Sequence, residues 1–158
     1  MTTKDKIDRN NNYRKYLHYW MWFIFFSFVI FGTWEWVQTP FFIDNTEEIN
    51  KIVWYRIHCT FGDMMILASV IIITSLIRRS FSWLFAPSGS YYTAIIILGV
   101  SYTLYSEYRN VYLAKNWDYS LLMPELFGIG LLPVLQWILL PPLIIYILKR
   151  FMQNSSSL

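Results

Sequence analysis

The sequence predicts an all-α integral membrane protein, a single domain of four transmembrane helices in residues 16–150. Of its 158 residues, 56% are hydrophobic and only 15% are charged, whereas soluble domains carry about 25% charged residues. The apolar residues form blocks of about 20, the length that crosses a hydrocarbon core of about 30 Å. Basic residues lie at the ends of these blocks, where they act as topology signals. The small net charge of +3 therefore does not indicate nucleic-acid binding.

The first helix is predicted over residues 16–37, after a polar segment, residues 1–15, that is typical of a disordered cytoplasmic tail. The apolar run YWMWFIFFSFVIFGTWEW ends at Glu35 and Trp36 without the small residues of a signal-peptide cleavage site. We therefore interpret it as a retained helix. Residues 38–51 form an acidic loop.

The second helix is predicted over residues 54–77, because its apolar run stops at Arg78 and Arg79. A short connector, residues 80–90, contains proline and glycine and favours a turn. The third helix is predicted over residues 91–108, from the run YYTAIIILGVSYTLYSEY. A second polar loop, residues 109–123, follows it.

The fourth helix is predicted over residues 124–150, beginning near Pro124, since proline is favoured in a first helical turn. Three further prolines lie inside this span, Pro133, Pro141 and Pro142. Because each lacks the N–H that a helix interior uses, we expect this helix to be kinked or locally unwound. Residues 151–158 are predicted to form a short cytoplasmic tail.

The distribution of lysine and arginine predicts the orientation. Nine of them flank one side of the predicted spans and four flank the other, and the richer side is expected in the cytoplasm. Both termini are therefore predicted to be cytoplasmic, in a bacterial inner membrane. The basic residues of the richer side are Lys4, Lys6, Arg9, Arg14, Lys15, Arg78, Arg79, Lys149 and Arg150.

Each predicted helix contributes one polar side chain to the outer half of the bilayer. A rise of about 1.5 Å per residue puts Glu35, Asp63, Glu107 and Gln136 roughly 18–24 Å above the inner edge. A charged group in hydrocarbon costs at least about 2.5–3.5 kcal/mol, so such groups face the bundle interior and find partners. The expected partners at this level are Arg56, His58 and Arg109. The predicted ligand-binding set is Glu35, Arg56, His58, Asp63, Glu107, Arg109 and Gln136.

Two roles stay open for Asp63 and Glu107. Asp63 either bridges two helices or handles protons or cations, because buried intramembrane acids are functional by default. Arg56 lies two helical turns before it on nearly the same face. Glu107 is either part of a salt-bridged helix end or part of a site, and these two carboxyls are the catalytic candidates. Glu35, which lies between two tryptophans, also fits an aromatic belt at the membrane interface.

A histidine-based metal or haem site is not favoured by the sequence. His58 is expected at the outer edge, and the other histidine, His18, lies near the inner face. Cys59 is the sole cysteine and points about 100° away from its neighbour on a helix. A mixed site of His58 with the three acids remains an alternative, and no cofactor is identified.

The segment of residues 117–137, where the fourth helix is predicted to begin, is compatible with two arrangements. Gly128 and Gly130 allow close backbone approach, and Gln136 needs a hydrogen-bond partner inside the bundle. The segment forms either a packed, kinked helix or a cleft of lipid or isoprenoid size, with Trp117 and Tyr119 on its rim.

Two resemblances bear on function. The run YSEYRNVYLAKNWDYSLLMPELFGIGLLPVLQW, about a fifth of the chain, resembles a motif of small bacterial four-helix inner-membrane proteins without known activity. Glu107 stands ten residues before a Trp-x-Tyr motif, Trp117 and Tyr119. That spacing is similar to membrane carotenoid cyclases of the small-subunit type and implies an isoprenoid-like substrate. The other acidic helix motifs of the cyclases are missing.

Three functional hypotheses follow. The first is a polar pocket in the outer half of the bundle that binds a lipophilic or small cationic ligand. The second is an intramembrane enzyme that performs acid–base chemistry on a lipid or isoprenoid. The third is an accessory subunit of a larger membrane complex. The expected partners are the lipid bilayer and either a lipophilic ligand or a membrane partner subunit.

Overall fold

The computed structural model describes residues 3–43 and 48–155, and its four long helices confirm the all-α class. Helices α1 and α3 each pack against both α2 and α4, so the four form a closed antiparallel bundle. Their bounds are α1 Thr3–Gln38, α2 Ile49–Ile77, α3 Gly89–Glu107 and α4 Leu131–Ser155.

Short elements close one end of this bundle, where α1 and α3 end and α2 and α4 begin. Strand β1 (Phe42–Ile43) pairs antiparallel with β2 (Asp118–Tyr119), which joins the loop after α1 to the loop after α3. Strands β3 (Glu125–Leu126) and β4 (Ile129–Gly130) form a second antiparallel pair just before α4. The other short elements are the 3₁₀ helix Thr39–Phe41 and the π-helix Tyr108–Leu113; a 3₁₀ helix at the other end spans Ser82–Phe85.

The two tails predicted from the sequence are shorter than expected. Helix α1 begins at Thr3 rather than near residue 16, and α4 continues to Ser155 rather than ending at residue 150. The polar segment before residue 16 contains neither glycine nor proline, so nothing interrupts the helix that the apolar block propagates backwards. Apolar composition indicates the part of a helix that is buried or in lipid, and the helix itself extends beyond it.

The beginning of α4 differs most from the prediction. Residues 124–130 form the β3–β4 pair, with Phe127 and Gly128 at positive φ between the strands, and the helix starts at Leu131. Pro133 is therefore its third residue, where a backbone N–H has no helical acceptor, and it removes no hydrogen bond. The helix is continuous through Pro141 and Pro142, so local unwinding does not occur there.

The outer surface of the bundle is apolar over most of its length. On α1 alone, Met21, Ile24, Phe25, Phe28 and Val29 are all exposed, and the other helices expose similar rows. Soluble monomers avoid contiguous apolar patches of this extent. Three helical segments are long and apolar enough to cross a membrane: Tyr13–Phe41, Ile49–Ile77 and Leu131–Gln153. Helix α3 has 19 residues, about 28 Å, but its tyrosine and hydroxyl residues lower its hydropathy.

Close packing fixes α3 against α4. A Cβ built at Gly99 would overlap the indole ring of Trp137, so the absence of a side chain at Gly99 permits this contact. At the connector end, the Trp83 indole N–H donates to Ser75 Oγ at 2.9 Å and its ring stacks on Tyr91, with 4.6 Å between centroids. The Gly99–Trp137 contact fixes α3 against α4 below the cavity, and the Trp83 contacts fix the connector at the opposite end.

Candidate functional site

A cavity of about 510 Å³ lies inside the end of the bundle that the short strands close. All four helices contribute polar side chains to it, because the last turns of α1 and α3 face the first half of α2 and the first turns of α4. Six of the seven ligand-binding residues predicted from the sequence line this cavity: Glu35, Arg56, His58, Asp63, Glu107 and Gln136.

Asp63 joins α2 to α4 at the floor of the cavity. Gln136 Nε2 donates to Asp63 Oδ2 at 2.5 Å, so the predicted partner of Gln136 is a carboxyl group. Asp63 is surrounded by protein atoms and is still partly accessible to a water-sized probe, since it lines an internal cavity rather than the outer surface. The helix-bridging role and the cavity-lining role therefore belong to the same side chain.

The carboxyl groups of Glu35 and Asp63 are neighbours in the cavity and interact with each other. Glu107 is close enough to interact electrostatically with both. Three acidic groups from three helices thus converge in one cavity.

Glu35 is held by a set of neighbours inside the bundle. It is only 3% exposed, which rules out the membrane-belt position that its tryptophan neighbours suggested. Gln38 Nε2 donates to Glu35 Oε1 at 2.6 Å, and Gln38 Oε1 accepts from Trp34 Nε1 at 3.0 Å. Arg56 Nη1 lies 3.8 Å from Glu35 Oε2, and both side chains are buried. Arg56 thus forms an ion pair with α1.

Glu107 connects α3 to the loop that carries β2. Tyr119 donates its hydroxyl to Glu107 Oε2 at 2.6 Å, and the Trp117 indole N–H lies near the same carboxyl group. Burial, and then the hydrogen bond to Glu107, raise the pKa of Tyr119 above its ordinary value of 10.0. The phenol therefore stays protonated as a donor at neutral pH.

Two buried donors at the cavity wall have no hydrogen-bond partner of ordinary geometry within the described part of the chain. They are the Thr103 hydroxyl, in a residue that is 4% exposed, and the Trp117 indole N–H. A helical threonine usually satisfies its hydroxyl on the preceding turn, as Thr60 does on the carbonyl of Arg56 at 2.7 Å. Among the described residues, buried hydroxyls that do not line the cavity are unpaired in the same way at Tyr19, Ser27 and Thr74.

Arg109 is the one predicted member that does not line the cavity. It is exposed and lies two residues after Glu107, so it points to the other side of the helical segment. His58 lines the cavity but is exposed, which puts it at the mouth rather than the floor.

Several lining residues were not anticipated. They include Gln38, which the sequence assigned to a loop, and the helical residues Tyr102 and Thr103. Gln38 lies three residues after Glu35, and that helical spacing was the signal that could have found it. Tyr102 and Thr103 carry no comparable signal, because hydroxyl residues occur throughout α3.

Metal coordination is not supported by the geometry. Within residues 3–43 and 48–155, no group of three or more histidine, cysteine, aspartate or glutamate side chains is arranged to hold a metal ion. The mixed site of His58 with the three acids is therefore not formed in the described part of the chain.

No protein-family model, curated protein or solved structure matches this chain, so its chemistry has to be inferred from the cavity itself. The cavity offers carboxyl groups, amide and indole donors, and aromatic faces in a partly open space within apolar helices. Such a site is suited to binding a small molecule that carries charge and apolar surface together.

Proposed function

We propose that this protein spans a bacterial inner membrane four times, with both termini cytoplasmic, and binds a small cationic ligand with an apolar part in its cavity. Support for the membrane location comes from the three apolar helices and from the exposed apolar rows on the outside of the bundle. Such rows are stable against lipid and would favour association in water.

The packing of α3 supports its being the fourth crossing. It lies between α2 and α4, both of which are apolar enough to cross a membrane, and runs beside them for nearly the thickness of a hydrocarbon core. Its exposed tyrosines Tyr102 and Tyr105 lie near the cavity end, the level at which aromatic residues of membrane proteins meet the interface.

The main observation in support of a cationic ligand is the charge balance of the cavity. Three carboxyl groups, from Glu35, Asp63 and Glu107, meet a single buried guanidinium, that of Arg56. Arg56 lies beside one of these carboxyl groups, so the cavity holds more acidic than basic side chains. A bound cation would stabilise carboxylates there.

The aromatic lining favours an organic cation over a bare metal ion. Tyr55, Tyr102, Trp117 and Trp137 line the cavity, and aromatic faces attract ammonium groups by about 0.5–2 kcal/mol each. A methylated ammonium group needs no complete shell of oxygen ligands, which agrees with the lack of a metal-binding cluster among the described residues.

Binding of benzyltrimethylammonium by purified protein in nanodiscs tests this function. We expect saturable binding of this cation and weak binding of neopentylbenzene, its uncharged carbon isostere. Asp63→Asn, which keeps the shape of the side chain and can still bond to Gln136, should weaken cation binding by about tenfold or more, since about 1.4 kcal/mol corresponds to tenfold. Equilibrium dialysis with the radiolabelled cation measures the affinity.

The matched control is Glu125→Gln, which removes the same charge from an exposed residue of the same end of the bundle. Its cation affinity should stay close to that of the wild type. Equal binding of the cation and its neutral isostere would contradict the proposal, and so would equal losses in the two variants. Collapse of the folded yield of Asp63→Asn would support a purely structural role for that residue.

Acid–base chemistry on a lipid or isoprenoid is a second candidate, favoured by the contact between the Glu35 and Asp63 carboxyls. A proton held by one of two neighbouring carboxyls in an apolar surrounding is available to an apolar substrate. On this hypothesis Asp63→Asn and Glu107→Gln abolish turnover while the protein still folds. Retained turnover of a lipid or isoprenoid substrate by both variants would exclude it.

The accessory-subunit hypothesis is not favoured by the exposed polar residues Thr33 and Ser69. It predicts an exposed polar side chain between the helix ends without a partner in its own chain. The exposed hydroxyls of Thr33 and Ser69 instead donate to the carbonyls of Val29 and Met65, at 2.7 and 2.8 Å. These two positions therefore offer a partner subunit no unused donor.

A further inference from the structure

The end of the bundle opposite the cavity carries an open groove of about 640 Å³ between α1, α2 and the connector that follows α2. Its wall is apolar on the helix side, where Trp20 and Leu76 lie, and polar at the connector, where Arg79 and Ser80 lie. An apolar channel that opens onto a polar rim is the arrangement that a lipid needs, with its acyl chain beside the helices and its headgroup at the rim.

The charges at the groove end are all positive among the side chains that the structure describes. The six cations there are Arg14, Lys15, Arg78, Arg79, Lys149 and Arg150, while every acidic side chain that is described belongs to the cavity end. With no carboxylate among the described side chains of this end, these cations attract external anions. Basic pockets at the cytoplasmic ends of membrane helices bind acidic headgroups for this reason.

Arg79 occupies a backbone position that suits glycine. It ends α2 in a Schellman motif, in which Arg79 N–H donates to Leu76 at 3.1 Å and Ser80 N–H donates to Ser75 at 3.0 Å. The residue at this position adopts left-handed geometry, and Arg79 has φ of 52°. Glycine fills such positions most often because a Cβ is unfavourable there. The chain thus holds an arginine where its backbone disfavours one.

Three of the five other cations at this end lie over aromatic rings. The Arg78 guanidinium lies over the Tyr91 ring, 5.3 Å from its centroid, and Lys15 Nζ lies 4.0 Å from the centroid of Phe85. Arg150 lies over Tyr146 in the same way. Arg79 lines the groove instead and makes no ion pair with any described side chain. Its guanidinium is therefore available to an anion at the rim.

We propose that this groove binds the phosphate of an acidic phospholipid, with Arg79 as the main contact. The Ser80 hydroxyl lies at the same rim, 2.8 Å from the Ser82 hydroxyl, and offers a second polar contact. The acyl chain lies along Trp20 and Leu76. This inference rests on the proposed membrane location and does not depend on the ligand of the cavity.

Lipid titration of the delipidated protein in detergent, followed by native mass spectrometry, tests the proposal. Wild-type protein should bind one phosphatidylglycerol in preference to phosphatidylcholine. Arg79→Gly should weaken phosphatidylglycerol binding by about fivefold, the factor for about 1 kcal/mol per arginine near an anionic surface. Phosphatidylcholine binding should not change. Because glycine suits the left-handed backbone, the thermal stability of this variant without lipid should equal or exceed that of the wild type.

Arg78→Gln is the matched control, since it removes the same charge from the same end but from a side chain that lies over Tyr91. Its effect on phosphatidylglycerol binding should be clearly smaller than that of Arg79→Gly. Equal effects would mean a diffuse attraction to the basic surface and would contradict specific binding in the groove. If inorganic phosphate displaced the lipid in an Arg79-dependent way, the site would be one for free phosphate, and the proposal that it binds a lipid would be wrong. Recovery of the protein in the soluble cell fraction would instead contradict the membrane location itself.

Discussion

At the scale of single residues, the polar side chains predicted to share a level do meet, but with partners that the sequence did not indicate. Helical spacing paired Arg56 with Asp63, and the structure pairs Arg56 with Glu35 and Asp63 with Gln136. Position along a helix is readable from a 1.5 Å rise. The partner across the interface depends on helix rotation and crossing angle, which no single helix encodes.

Tyr119→Phe should destabilise the protein, because it removes the donor to Glu107 while the carboxyl stays buried. Leaving a buried acceptor unsatisfied costs about 1–3 kcal/mol, measurable as a lower unfolding temperature in detergent. Tyr105→Phe is the matched control, since the Tyr105 side chain is 62% exposed and its loss should change stability little. Equal stabilities of the two variants would contradict the role of the Glu107 contact.

The contribution of Tyr119 should also depend on pH in one direction. Because its pKa is raised above the ordinary 10.0, the folded protein retains a proton that the unfolded chain loses near pH 10. The stabilisation is therefore fully present below that pH and is lost as the pH rises through the folded value. The unfolding temperatures of wild type and Tyr119→Phe should converge in strongly alkaline buffer.

At the scale of elements, the apolar blocks predicted where four helices lie but not where each begins. Helix α2 ends at Ile77 as expected because two arginines follow it, whereas α4 starts seven residues later than predicted. Pro124 was compatible with a first helical turn. In the structure it instead directly precedes strand β3. That choice depends on Gly130 packing against Tyr119, whose Cε1 would lie 2.9 Å from an added Cβ, a contact made only in the folded chain.

Gly99→Ala should destabilise the bundle, since the added methyl overlaps the Trp137 ring. Overpacking of this kind costs about 1–3 kcal/mol, measurable by thermal or denaturant unfolding in detergent. Gly62→Ala is the matched control, because nothing lies within 4 Å of a Cβ at this helical position. There the better helix propensity of alanine should leave stability equal or raise it by about 0.5–1 kcal/mol. A Gly99→Ala protein as stable as Gly62→Ala would contradict the packing described for α3 and α4.

At the scale of the whole molecule, the two ends of the bundle differ in charge and in chemistry. One end encloses the acids in a cavity, and the other carries exposed cations around a groove. The antiparallel order of the helices brings each chemistry together from separate parts of the chain. The proposed orientation is based on this charge difference and puts the basic end on the cytoplasmic side.

Cysteine labelling tests that orientation. In a Cys59→Ala background, a cysteine at Ser82, in the exposed connector, should be protected from an impermeant maleimide added to intact spheroplasts. A cysteine at Asn116, exposed in the loop after α3, should react. Both should react once the membrane is permeabilised. The reverse pattern would contradict cytoplasmic termini, and labelling of both in sealed cells would contradict the four-span arrangement.

The sequence by itself determined the all-α class, the approximate helix positions and the level of the polar side chains, because each depends on local composition and on the regular helical rise. Tertiary structure alone decided which side chains pair, that Arg109 points away from the cavity, and that Gln38, Tyr102 and Thr103 join its wall. It also decided that Asp63 lies in a cavity beside Glu35. The physical reason is that such contacts depend on the rotation of packed helices about their axes, which results from the fit of all four surfaces together.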